Sequence, residues 1–162
     1  MEIRFEKVNC YFDKKERILN NVSFSVKKNT IVGFVGKSGS GKTCIFEVLS
    51  GLKNINSGKI MIGDIVINKK MLYDKDKLYN KIFFQTSDVV FSKRVVLDEI
   101  KYFIKLKGLD YDEDKILNFL NLLGLDVGFL DKEICSLSDG FIVLFKILLP
   151  LLSGADVLLY DD

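Results

Sequence analysis

One short stretch constrains this 162-residue chain more than any other. Gly36-Lys37-Ser38-Gly39-Ser40-Gly41-Lys42-Thr43 fits G-x-x-x-x-G-K-[ST] at every fixed position. The apolar residues 30–35 before it read as a buried strand. Beyond it, Ile45, Val48, Leu49 and Leu52 recur at the spacing of one helix face. Between a strand and a helix, such a loop turns successive backbone N–H groups onto phosphate oxygens, and the helix N-terminus adds its positive dipole end. Lys42 is then placed for the β- and γ-phosphates of a nucleoside triphosphate, and the Thr43 hydroxyl for Mg²⁺. Cys44, directly after, reads as a small filler beside the phosphates. The nucleotide contacts expected here are therefore Gly36, Lys37, Ser38, Gly39, Ser40, Gly41, Lys42, Thr43 and Cys44.

Composition narrows the alternatives. At 48% hydrophobic and 28% charged the chain is ordinary for a globular protein, and a net charge of +2 argues against a nucleic-acid partner held by bulk electrostatics. There is no histidine, which excludes Ser-His-Asp and Cys-His catalysis and any histidine-bearing zinc site. Cys10, Cys44 and Cys135 are odd in number and form no C-x-x-C, as expected of reduced thiols in a cytosolic protein. The first residues lack the layout of a secretory signal. Lys146, Pro150, Ser153 and Asp156 break up the one long apolar stretch, residues 140–160.

Alternation at Ile3 and Phe5, and at Val22, Phe24 and Val26, predicts half-buried strands. Asn56-Ser57-Gly58 marks a turn, with a further strand through Ile60, Ile62, Ile65 and Ile67. Residues 69–81 are polar, with Lys69, Lys70, Lys75 and Lys77 as a solvated face, and residues 81–85 read as a short strand. Two amphipathic helices follow, one through Val96, Leu97, Ile100, Phe103 and Ile104, the other through Ile116, Phe119, Leu120 and Leu123. The second carries Asp112, Glu113 and Asp114 near its start and Gly124 past its end. Ser138 is placed to cap a third helix beginning near Asp139. Val157-Leu158-Leu159-Tyr160-Asp161 closes the series as an apolar strand ending in a carboxylate, the pattern in which an aspartate helps hold Mg²⁺.

Phosphate loop and acidic strand end lie far enough apart for a helical subdomain to intervene. In this the chain resembles the nucleotide-binding domain of ABC transporters, over nearly its whole length. The resemblance implies an α/β P-loop NTPase core with an N-terminal antiparallel β-subdomain and an inserted helical subdomain. It divides the chain into a β-subdomain and P-loop core (1–86), a helical subdomain (87–138), and a signature helix with the acidic strand (139–162). It implies ATP and Mg²⁺ as cofactors. Tyr11 stands where the family's aromatic stacks on adenine, the alternative being an ordinary strand aromatic; a stacking role asks only for a ring, so phenylalanine is expected to serve as well. Gln85 resembles the Q-loop glutamine, which in the family senses the Mg²⁺–γ-phosphate site. It lies beside a groove for a membrane partner's helix, here next to Val89, Val90 and Phe91. Leu137-Ser138-Asp139-Gly140-Phe141 stands in place of LSGGQ, so that Ser138 and Gly140 are expected to contact the nucleotide of an opposing subunit. Thr43, Gln85 and Asp161 are the expected Mg²⁺ ligands, and Asp162 and Gln85 the expected catalytic residues.

The departures matter too. Asp139 and Phe141 replace a glycine and a glutamine, and Asp139 would bring a carboxylate toward the partner's γ-phosphate. Asp162 stands one methylene short of the usual glutamate, and the family's later motifs are not in the sequence, as in a fragment of a longer protein or a degenerate cassette. The expected function is an ATP-binding subunit that couples hydrolysis to solute transport. It would work with a transmembrane permease and a second cassette (the same or a different chain), at the inner face of the cell membrane. The alternatives are a catalytically weak cassette paired with an active sibling, or a soluble ATPase of the family. Spacing around Gln85–Ile100 and residues 125–136 is similar to energy-coupling-factor importers, whereas residues 103–108 look more like export cassettes.

Overall fold

The computed structural model describes residues 1–11, 17–70, 75–86 and 88–161. They form two compact units, one of Met1–Gln85 with Asp156–Asp162, the other Thr86–Ala155.

The first unit opens with an antiparallel sheet in which β1 (Ile3–Tyr11) lies between β2 (Arg17–Val26) and β3 (Ser57–Ile62), with β4 (Ile65–Asn68) outside β3. In β1 the buried residues are Ile3, Phe5, Val8 and Cys10, a set that breaks the two-residue period between Phe5 and Val8. The break is a bulge. Lys7 takes φ 49°, the ladder with β2 shifts there, and the extra residue returns Val8 and Cys10 to the face of Ile3 and Phe5. Asn9 stitches the bulge: its Nδ2 donates to Lys7 O and Ser57 Oγ, and its Oδ1 accepts from Asn21 N. Gly63 and Asp64 form the two-residue turn that pairs Ile62 with Ile65.

After the sheet's second strand the chain passes through the glycine loop into α1 (Lys42–Leu49). Between β4 and β5 (Ile82–Thr86) lies a short helix, α2 (Lys75–Lys81), within the stretch read only as a polar face. Lys77 and Lys81 both bond Asp64, holding its carboxyl well below the usual carboxylate range. The strand β6 (Val157–Asp161) lies beside β5 in a two-stranded sheet. Phe5, Val8, Val48, Ile60, Ile62, Ile67 and Leu78 fill the core between these elements. Phe5 stacks on Phe24 at 4.4 Å between ring centroids.

Residues 30–35 depart from expectation: they are not a strand. Ile31 and Val35 are fully exposed, at 104% and 100%, and only Phe34 turns inward, against Phe24 and Phe46 at 5.5 and 5.7 Å. An apolar run becomes a buried strand only when neighbours take up its backbone hydrogen bonds, and none of the described strands pairs with this one. An apolar concavity of about 670 Å³ lies alongside, lined by Ile31, Val32, Phe34, Val157 and Leu159.

The second unit holds α3 (Val96–Leu106), α4 (Glu113–Leu122) and α5 (Asp139–Leu152), with short 3₁₀ turns at Val127–Asp131 and Ile134–Ser136 between α4 and α5. Asp112 caps α4, its carboxylate accepting from Lys115 N at 2.9 Å. Ser138 occupies the cap position of α5 but its hydroxyl makes no capping bond, contrary to the sequence reading; only its carbonyl engages the helix, accepting from Ile142 N. Ile100, Ile116, Leu120, Phe129, Phe145 and Leu148 form the core. The helix α5 therefore belongs with the helical block. The second unit ends at Ala155, and α5 packs on α3 and α4 within it.

Candidate nucleotide site

In the first unit, a cavity of about 530 Å³ is lined by Ile18, Ser38, Gly39, Gly41, Lys42, Thr43, Cys44, Glu47, Lys53 and Asp161. The loop around it is shaped by its glycines. Gly41, at φ 94°, caps α1 in the left-handed region, where a Cβ would meet Ile18 O at 3.3 Å. A Cβ on Gly36 would meet Ser40 Oγ at 2.8 Å. Ser40 N donates to Lys37 O, tightening the turn, and Ile45 N donates to Gly41 O to start the helix. No side chain caps α1 and no acidic residue stands in its first turn, so the leading N–H groups retain their capacity for an anion. The ammonium of Lys42 donates to Gly36 O at 2.9 Å and Lys37 O at 3.0 Å, holding the loop closed while keeping its charge at the cavity.

Thr43 and Asp161 reach this cavity from separate elements, the start of α1 and the end of β6. They bring a hydroxyl and a carboxylate oxygen, hard donors of the kind that hold Mg²⁺ when phosphates and waters complete its octahedron. No group of three or more Cys, Asp or Glu among the described residues is placed to hold a metal. The donor set thus suits a cation shared with bound phosphate. Such a cation would neutralise phosphate charge.

Of the remaining expected residues, Gln85 lies in β5, directly beside β6, and ends the first segment of its unit. Asp162 lies outside the described residues. Ser138 and Gly140 stand at the start of α5 in the other unit. Phe141 there packs on Phe129 at 5.8 Å, with Lys132 Nζ 4.6 Å from its ring centroid. Phe91, expected on an exposed surface, instead stacks on Phe145 at 5.0 Å; it is Val90, 88% exposed, that projects. Glu99, buried, accepts from the backbone N–H groups of Ser92 and Lys93 and fixes this turn.

Cys44 is buried against Cys10, and burial first, then its bond with Cys10, pushes its thiol up to about 12. It is core, not a reactive thiol. Tyr11 is not among the residues lining the cavity, but its strand neighbour Cys10 touches Cys44, and Ile18 beside its partner Arg17 lines the wall. Sequence reasoning passed over Ile18, Glu47 and Lys53. Glu47 was legible, four residues after Thr43 and hence on the same helix face. Lys53, which pairs with Glu47 at 3.6 Å, is carried in by the turn after α1 and left no periodic signal.

The family model for ABC transporters matches residues 19–162. An ABC transporter ATP-binding protein of Pyrococcus furiosus is 29% identical over 97% of this chain and 58% of its own length. One from Saccharolobus solfataricus is 33% identical over 89% of this chain and 28% of its own. An energy-coupling factor transporter ATP-binding protein of Streptococcus sanguinis is 30% identical over 86% and 50%. The chain thus spans between 28% and 58% of the length of these relatives. Among solved structures, an ABC transporter ATP-binding protein from Pyrococcus furiosus superposes with a TM-score of 0.80 at 24% identity, covering 100% of this chain and 76% of that one. The protein cbiO1 of Clostridium perfringens, part of the ABC transporter complex cbiONQ, superposes at 0.83 and 21%, covering 99% and 64%. These likenesses show the fold, an α/β P-loop NTPase. The family match from residue 19 onward and the shared fold agree: the chain belongs to the ABC transporter family.

Proposed function

We propose that this chain binds MgATP in the cavity of residues 36–43 and Asp161, as the ATP-binding part of a membrane transporter. The observation that carries this reading is the convergence of the α1 N-terminus, Lys42, Thr43 and Asp161 on one cavity. The loop amides and Lys42 bind the phosphates by charge-assisted hydrogen bonds, and Thr43 and Asp161 hold Mg²⁺. Gln85 and Asp162 are the residues that would orient a water for attack on the γ-phosphate. Ser138 and Gly140 would meet the nucleotide of a second cassette, where Asp139 and the ring of Phe141 replace the usual glycine and amide. Binding is therefore expected to outlast turnover in this chain.

No helix among the described residues is long and apolar enough to cross a membrane, and the membrane-crossing part is assigned in this reading to a permease. The relatives named as energy-coupling-factor and cbiONQ components support that kind of partner. Val90 and the turn fixed by Glu99 form the surface proposed to meet it, at the inner face of the membrane. The test is calorimetry with MgATP, followed by cysteine crosslinking from position 90 in membranes containing a candidate permease. MgATP binding with capture of the permease is the expected result. Absence of MgATP binding would overturn the reading.

A further inference from the structure

Tyr11, which the family resemblance places under a nucleobase, has a side-chain partner outside the phosphate cavity. Tyr11 and Arg17 face each other directly across β1 and β2. Arg17 Nε donates to the Tyr11 hydroxyl at 3.0 Å, and the guanidinium carbon lies 5.2 Å from the ring centroid. Arg17 is itself braced, its Nη1 donating to Asn20 Oδ1 at 2.6 Å. At its other end, Tyr11 N donates to Asn56 Oδ1 at 3.0 Å, and Asn56 N to Asn9 O at 2.8 Å. The ring is thus held by backbone and by hydroxyl at once.

Its place gives that restraint a use. Ile18, next to Arg17, lines the phosphate cavity and closes against Gly41; Cys10, next to Tyr11, touches Cys44 of the same cavity. Tyr11 and Arg17 are thus each the strand neighbour of a residue at that cavity. A stacking surface works by area and orientation, and a ring left to rotate loses freedom when the base arrives, at a cost of about 0.5–1.5 kcal/mol for an immobilised side chain.

We propose that Arg17, braced by Asn20, is a positioning residue that presets the Tyr11 ring for the nucleobase. The inference rests on the nucleotide reading above. It also revises the sequence expectation for this position: with the hydroxyl engaged by Arg17, phenylalanine does not serve as well as tyrosine.

The test is calorimetry of the 162-residue chain with two probes, MgATP and magnesium tripolyphosphate, which has phosphates but no base. Arg17→Ala is expected to weaken MgATP about three- to tenfold and leave tripolyphosphate unchanged. Tyr11→Phe is expected to lose a similar factor, and the double variant no more than either single one, because both break the same bond. Equal loss for both probes would make Arg17 a phosphate ligand and overturn the inference, as would additive losses in the double variant. If both probes bind but Arg17→Ala and Tyr11→Ala keep wild-type affinity for MgATP, this inference alone fails. If the wild-type chain binds neither probe, the nucleotide reading fails and takes the inference with it.

Discussion

Lys42 and Asp161 line one cavity, the lysine tied to the loop carbonyls of Gly36 and Lys37 at its start and the aspartate ending the strand β6 opposite. In the proposed function a cation and an anion so placed would divide the work, one meeting phosphate directly, the other through a metal. Each can be removed separately.

Lys42→Ala removes a charge-assisted contact of the kind worth about 1.5–3 kcal/mol. Calorimetry is expected to show MgATP affinity falling at least about tenfold, the factor equivalent to 1.4 kcal/mol. Circular dichroism is expected to show the fold retained. Unchanged affinity would remove the lysine from the site.

Asp161→Asn keeps the shape of the side chain and removes its charge. Mg²⁺ is expected to strengthen ATP binding in the wild type and to do so far less in this variant, with affinity measured in excess EDTA equal or higher, since one negative charge near the phosphates is gone. An undiminished Mg²⁺ response would show that Asp161 holds no metal.

Cys44 gives a pH signature. Its thiol is raised to about 12 in the folded chain, chiefly by burial, against about 8.5 in an unfolded one. As pH rises through the unfolded value, the unfolded state releases its proton first and stability falls, a trend that ends only above about 12. Urea midpoints at pH 8 and pH 10 are expected to differ more for wild type than for Cys44→Ala. Equal differences would mean the thiol is not protected. At pH 8 an alkylating reagent is expected to label the exposed Cys135 well before Cys10 or Cys44.

Glu99→Ala would leave the amides of Ser92 and Lys93 without their shared acceptor. Hydrogen bonds to a charged group contribute about 1.5–3 kcal/mol each, so for the two together a stability loss of at least about 3 kcal/mol is expected in urea unfolding. A loss within about 0.5 kcal/mol, as for ordinary surface changes, would mean the carboxylate does not fix that turn.

Ile31→Lys addresses the exposed run at residues 30–35. Ile31 has no burial to lose, so thermal stability is expected to hold while binding of a hydrophobic dye and self-association both decline. A marked fall in melting temperature would show that this side chain is buried in solution.

How much of this was readable before folding follows from range. The glycine loop leading into α1 was, because its geometry is local: Gly41 in the left-handed region starts the helix within one turn. So were α3 and α4, whose apolar spacing and acidic starts repeat within a few residues, and the end of β6 at Asp161. The bulge at Lys7 was not, since the two-residue period only shows that it breaks, and the register across β2 and β3 decides where. Residues 30–35 show the opposite failure. Their composition suits a buried strand, but burial needs partners that a local pattern cannot supply. Likewise the sequence by itself could name Tyr11, Cys44 and Phe91, and only tertiary contacts gave them their surroundings. Arg17 holds the tyrosine hydroxyl, Cys10 buries the thiol, and Phe145 takes the phenylalanine out of the exposed surface. Local spacing determines which backbone groups can be offered to a ligand; which side chains stand beside them depends on strands and helices far apart in the chain, brought together by burying the apolar surface they share.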